Sequence, residues 1–140
     1  MKVEVFSICD AATDQGGRLN VLGIFESVSG PIPPIFRERC SIVVRLRFAA
    51  DEVGQHQVAL RFFNKQGQRI MPEMKAKFAV KIPANRTSTA VNLVMNINRL
   101  KFDNYGDYEA AFFHGGVKVS SIPIFVKCSS RGQPKNRMNN

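Results

Sequence analysis

The chain is predicted to be all-β: an antiparallel two-sheet sandwich of about eight strands with immunoglobulin-like or Greek-key topology. Three observations predict it. Apolar residues recur every second position rather than at helical spacing. Turn-forming residues punctuate the chain at roughly 8–12 residue intervals. No window combines an amphipathic 3.6-residue period with helix caps.

The clearest strand is Ile42 to Phe48, where Ile42, Val44, Leu46 and Phe48 alternate with positions that include Arg45 and Arg47. That pattern makes a half-buried strand. His56 to Asn64 repeats it, with Val58, Leu60 and Phe62 inward and Arg61 outward. Asp51-Glu52-Val53-Gly54 between them reads as a hairpin connection, which would set Arg45, Arg47 and Arg61 close together on one face. Lys75 to Ile82, Thr89 to Arg99, Asp107 to Phe113 and Val117 to Lys127 continue the series, the last two joined at Gly115-Gly116. At the start, Val3 to Ile8 and Leu19 to Val28 flank the turn-rich segment 10–18. Gly30-Pro31-Ile32-Pro33-Pro34 is a loop, because proline cannot donate to a ladder. Met71-Pro72-Glu73 is a strand break, an edge or a bulge.

Residues 1–127 therefore form a single sandwich domain, followed by a basic C-terminal tail, residues 128–140, expected to be flexible. The chain has 140 residues, 44% hydrophobic and 22% charged, enough for one self-supporting core. Its formal charge of +9 arises from 20 Lys and Arg against 11 Asp and Glu. Such a balance aids solubility and also suits nucleic acid or an acidic partner. Cys9, Cys40 and Cys128 form an odd set without C-x-x-C spacing, which points to a reducing compartment rather than a disulfide framework. The apolar stretch at the N-terminus is interrupted by Glu4 and ends at Asp10, too polar for a signal peptide. No run is long enough to cross a bilayer as a helix. A cytoplasmic protein without membrane attachment is expected, and the sequon Asn85-Arg86-Thr87 then has no consequence.

Cys9-Asp10-Ala11-Ala12-Thr13, Gly17-Arg18-Leu19-Asn20-Val21-Leu22-Gly23, Arg45-Leu46-Arg47-Phe48, Ile70-Met71-Pro72 and Asn92-Leu93-Val94-Met95-Asn96-Ile97 are similar to a family of small bacterial proteins classed as a domain of unknown function, across about residues 3–127. The resemblance implies a compact β-sandwich and assigns no activity. The hairpin from Tyr105 to Val126 resembles the last two strands of immunoglobulin-like domains. That likeness implies a Tyr108 hydroxyl bonded to nearby backbone.

Catalytic constellations are wanting. His56 and His114 are the two imidazoles, neither beside a nucleophile motif. Scattered Cys and His lack zinc spacing, so no metal and no cofactor is expected. Asp10, Asp14, Asp51 and Glu52 are loop carboxylates of the type calcium prefers, without a dense ligand pattern. If connections alternate between two ends, segments 10–18, 49–55, 83–88 and 114–116 share one end. Segments 29–39, 64–68 and 100–107 and the tail share the other, giving a molecule acidic at one end and basic at the other. Phe63 and Phe113 fall on outward positions, where they suit contact with a loop or another chain.

The expectation is a non-catalytic binding or scaffolding module, with an unidentified protein or a second copy as partner. The alternative is an anion or nucleic-acid module. Arg37, Arg39, Arg45, Arg47 and Arg61 are the candidate anion-binding or partner-binding residues, since the guanidinium fork suits phosphate and carboxylate.

Overall fold

The computed structural model describes residues 1–129, and the all-β expectation holds. Nine strands form: β1 (Lys2–Gln15), β2 (Arg18–Ile24), β3 (Ser27–Gly30), β4 (Ile35–Ala49), β5 (Gly54–Phe63), β6 (Met74–Val80), β7 (Ser88–Phe102), β8 (Gly106–His114) and β9 (Val117–Cys128). One 3₁₀ turn, Ala50–Glu52, joins β4 to β5. Among the described residues there is no α-helix, and so none long and apolar enough to cross a membrane.

The strands divide into a four-stranded sheet, β2-β1-β4-β7, and a curled five-stranded sheet, β3-β9-β8-β5-β6. Their inner faces share one core. Ile42, Val44, Leu46 and Phe48 from β4 meet Val58, Leu60 and Phe62 from β5, and Ala110, Phe112, Ile124 and Val126 from β8 and β9. Phe48, Phe62, Phe102 and Phe112 are its largest fully buried side chains.

Three expectations need correction. The pairing is not wholly antiparallel, since β3 runs parallel to β9 from Ser27↔Phe125 to Gly30↔Cys128. The segment 42–64 is not a hairpin, because β4 and β5 lie in different sheets. β4 pairs with β1 and β7, and β5 with β6 and β8. The 3₁₀ turn carries the chain from one sheet to the other, a crossing that a local turn signal cannot distinguish from a tight reversal. Finally, Leu19–Val28 splits into β2 and β3. That adds the ninth strand.

The segment 10–18 is not an end loop either. β1 continues through it to Gln15 and pairs with β2 from Ala11↔Leu22 to Gln15↔Arg18. Gly16 and Gly17, with φ of 58° and 84°, form the tight turn whose two positive dihedrals suit a two-residue hairpin. The hairpin bends where Asp10 and Gly23 face each other outside the ladder register. A side chain at position 23 would put its Cβ 2.2 Å from the Asp10 carboxylate, and φ there is +69°, so glycine alone fits.

Beyond the bend, the hairpin lies as an arm across the outer face of the four-stranded sheet. Asn92 Nδ2 in β7 donates to Gly17 O at its tip, 3.1 Å away. β4 separates β1 from β7 by about 9.6 Å of sheet, yet parts of the two strands lie within 8 Å of each other. Val43 alternates outward from Ile42 and Val44 but is fully buried, as are Cys9 and Ser41. The half-buried members of the arm are Ala12, Leu19 and Val21.

At one end of the molecule, Tyr105 Oη donates to Gly30 O and Pro31 O at 2.9 and 2.8 Å, joining the β7–β8 and β3–β4 connections. Tyr108 Oη donates to Asn104 O at 2.8 Å and accepts from Asn104 N–H at 3.3 Å, the local backbone bond expected of it.

Candidate binding face

The five arginines singled out from the sequence are not one cluster. Arg45 and Arg47 project from the outer face of the four-stranded sheet, whereas Arg61 projects from the five-stranded sheet. The expected trio therefore separates, for the same reason that the β4–β5 hairpin fails.

Four of the five are paired with carboxylates. The ladder between β1 and β4 shifts register between Val3 and Val5, so Glu4 is the extra residue of a bulge. Its carboxylate receives Arg45 Nε at 2.9 Å and Arg47 Nε at 2.8 Å. The Arg47 hydrogen bond, followed by that of Arg45, holds the Glu4 carboxyl below its usual range against the opposing effect of burial. Arg45 also donates to Asn92 Oδ1 at 3.0 Å, and Arg47 to Ser88 Oγ at 3.1 Å. Arg37 bridges to Asp10 and lies 4.3 Å above the Phe25 ring. Arg61 bridges to Glu73 and lies 4.2 Å above the Phe113 ring, which accounts for that outward aromatic. Nothing in the sequence announced these partners, because Glu4–Arg45 and Arg61–Glu73 depend on which strands become neighbours.

Arg39 is the exception. It is exposed, and among the described residues it forms no ion pair. It opposes Asn98 across the β4–β7 ladder, one step along the outer face from Ser41 and Asn96, whose side chains share a 2.7 Å hydrogen bond. With Asp10, Ala11 and Ala12 of the arm, these residues line a groove of about 340 Å³ between arm and sheet. Its floor is β-structure, and its exposed polar side chains are Arg39, Asn96, Asn98 and Asp10, the last bridged to Arg37. That chemistry can hydrogen-bond a carboxylate or the backbone of an extended peptide. It offers no nucleophile paired with a base.

The loop carboxylates considered for calcium do not gather. Asp10 bridges to Arg37 and Asp14 Oδ1 accepts from Gly17 N–H at 3.1 Å, both near the arm. Glu52, at the far end of β4, accepts from Ala49 N–H at 2.9 Å. Among the described residues no three His, Cys, Asp or Glu side chains are grouped as a metal would need. The acidic and basic ends are thus not separated as expected, because Asp10 of the acidic set bridges to Arg37 of the basic one. Lys101 of the basic set also bridges to Asp103 at 3.5 Å. The remaining tail cations, Arg131, Lys135 and Arg137, lie outside the described residues.

The two histidines, distant in sequence, are brought together. His56 Nδ1 lies 2.9 Å from His114 Nε2, and His56 Nε2 lies 2.6 Å from Glu52 O. Both pack near Phe48, His56 with a centroid separation of 4.5 Å. Burial first, then the neighbouring His56, lowers the His114 pKa from its ordinary 6.5. Cys9, Cys40 and Cys128 are all free thiols, and burial pushes the Cys40 pKa up to about 11.

A four-stranded sheet and a curled five-stranded sheet around one core, with a polar groove under a β-arm, define an all-β domain. The chain belongs to a family of unknown function (DUF6941), whose model matches residues 4–127. No curated protein matches it.

Proposed function

We propose that this protein is a non-catalytic binding module that holds an extended segment of a protein partner in the groove between the β1–β2 arm and the outer face of β4 and β7. The observation that carries this reading is the exposed Arg39 and Asn98 pair, set on a β-sheet floor, whereas Arg37 is bridged to Asp10 and Arg45 and Arg47 share Glu4. Side-chain amides and a guanidinium match backbone carbonyls and acidic side chains, and a preformed groove keeps the ordering cost low.

The overall architecture is read as an immunoglobulin-like sandwich. Supporting it are the shared core of the two sheets, the parallel β3–β9 pairing at one edge and the Tyr108 hydroxyl on local backbone. A bacterial source and a cytoplasmic location complete the reading. Three free thiols fit the location.

The second reading, an anion or nucleic-acid module, rests on the net charge of +9. It is weakened at Arg37, Arg45, Arg47 and Arg61, which are engaged by the three carboxylates of Asp10, Glu4 and Glu73. The test is affinity capture with the intact chain and with Arg39→Glu, followed by crosslink mapping. A partner held by the wild type, crosslinked at the groove and lost on Arg39→Glu supports the module. Equal capture by both chains refutes the groove. Binding of an oligonucleotide at low salt that falls steeply as salt rises transfers the case to the second reading.

A further inference from the structure

The outer face of β4 and β7 changes character where the arm ends. Under the arm, the Asn92 amide is engaged at both its atoms: Oδ1 accepts from Arg45 at 3.0 Å and Nδ2 donates to Gly17 O at 3.1 Å. Toward the bend at Asp10 and Gly23, matching is incomplete. Ser41 Oγ donates to Asn96 Oδ1 at 2.7 Å, which leaves Asn96 Nδ2 with no acceptor among the described residues. One step further, Arg39 and Asn98 oppose each other across the ladder, both exposed and neither with a side-chain hydrogen bond among the described residues. Cβ atoms so placed lie about 5 Å apart, close enough for both side chains to reach one group.

The unmatched groups are therefore mostly donors: the Arg39 guanidinium and the amide nitrogens of Asn96 and Asn98. Of the acceptors beside them, Asp10 bridges to Arg37 and Asn96 Oδ1 receives Ser41. Two guanidiniums, Arg37 and Arg39, thus stand against the single carboxylate of Asp10, and the groove keeps a positive charge. Other cations nearby are occupied elsewhere. Arg99 lies 4.3 Å above the Phe36 ring, and Lys101 bridges to Asp103 at 3.5 Å. A ligand rich in acceptors and carrying one negative charge is the complement.

The groove is also short. Its volume of about 340 Å³ falls at the small end of ligand sites. Past Ser41 and Asn96 it meets the arm, which buries Val43 completely and touches Asn92. An extended chain that enters over Arg39 and Asn98 along the strands runs into this barrier, so the groove suits the end of a chain better than its middle.

We propose that the groove takes the C-terminal carboxylate of an extended partner chain, held by the Arg39 guanidinium and by the amide nitrogens of Asn96 and Asn98. This rests on the binding-module reading and names the part of the partner that the groove holds. The planar guanidinium fork matches the two carboxylate oxygens, and the amides supply the further donors that an ionised carboxylate accepts. Capture of a chain terminus by converging donors is an established mode of peptide recognition.

The test is binding of the full chain to three arrays of short randomised peptides: one with free C-terminal carboxylates and no Asp or Glu, one amidated with Asp and Glu inside, and one amidated without acids. Binding is expected to the first array alone. Peptides selected from it should bind Arg39→Gln at least about tenfold more weakly, as loss of a charge-assisted hydrogen bond predicts. Asn98→Ala should weaken them as well, whereas Lys101→Gln should bind like the wild type. All three positions are exposed, and circular dichroism checks that the variants fold. Equal binding to the first and third arrays, a preference for the second, binding indifferent to Arg39→Gln, or binding to none overturns the proposal. A captured partner lost on Arg39→Glu, with no array showing a preference for the free terminus, ends the carboxylate assignment and leaves the module standing. Equal capture by wild type and Arg39→Glu removes the groove reading itself.

Discussion

Val43 offers the sharpest check on the arm. It lies on the outward side of β4, the side that would face water if the four-stranded sheet were bare, yet it is 0% exposed. On a bare face, Val43→Ala would alter stability by no more than about 0.5 kcal/mol, as surface substitutions do. Beneath the arm it removes two methyl groups at about 0.8 kcal/mol each and leaves a small cavity, for a total of about 2 kcal/mol. In a domain of this size that lowers the melting temperature by roughly 6–8 °C. The assay is urea unfolding of four chains: wild type, Val43→Ala, a chain with residues 12–21 replaced by a short turn, and the two changes combined. The cost of Val43→Ala should fall below about 0.5 kcal/mol once the arm is gone, giving a coupling above 1 kcal/mol. A cost below about 0.5 kcal/mol in the intact chain, or a cost unchanged by removal of the arm, refutes the placement.

Two further outcomes are expected. Tyr108→Phe keeps the ring packed edge-on against Phe102 at 4.8 Å but strips Asn104 of both hydrogen bonds, so thermal unfolding should show a loss of about 1 kcal/mol. His114 has a lowered pKa in the folded state, so protons bind the unfolded chain more tightly; stability should be full above pH 6.5 and fall as the pH drops below it. Unfolding curves collected as a function of pH should show that slope flattened in His114→Gln, and an unchanged slope would remove His114 as its source.

What the sequence made legible is what local periodicity encodes. The alternation through Ile42–Phe48, Val58–Phe62 and Val91–Ile97 marks the inward faces of those strands, whereas the Tyr108 hydrogen bond is implied only by the resemblance of its hairpin to immunoglobulin-like domains. Strand partnership is a different kind of information. Asp51-Glu52-Val53-Gly54 looks alike whether the chain reverses within one sheet or crosses to another, so Arg61 was set beside Arg45 when the core lies between their sheets. The arm is not legible because the turn chemistry of Asp14-Gln15-Gly16-Gly17 makes the whole of Asp10–Arg18 read as a loop, whereas only Gly16 and Gly17 make the turn. The charge pairing was illegible for the same reason. Glu4 meets two arginines some forty positions away through a bulge that the alternation does not mark.

The crossing at Ala50–Glu52 also bears on how the chain assembles. The four-stranded sheet takes three of its strands from residues 2–49 and its fourth, β7, from residues 88–102, after β5 and β6 have been laid into the other sheet. Until Ser88 and its successors arrive, β4 keeps one side of a fifteen-residue ladder unsatisfied while its partner is still to come. Closure of so distant a pairing makes slow folding the natural outcome. A nascent chain halted before residue 88 would present β4 itself as the edge available to strangers.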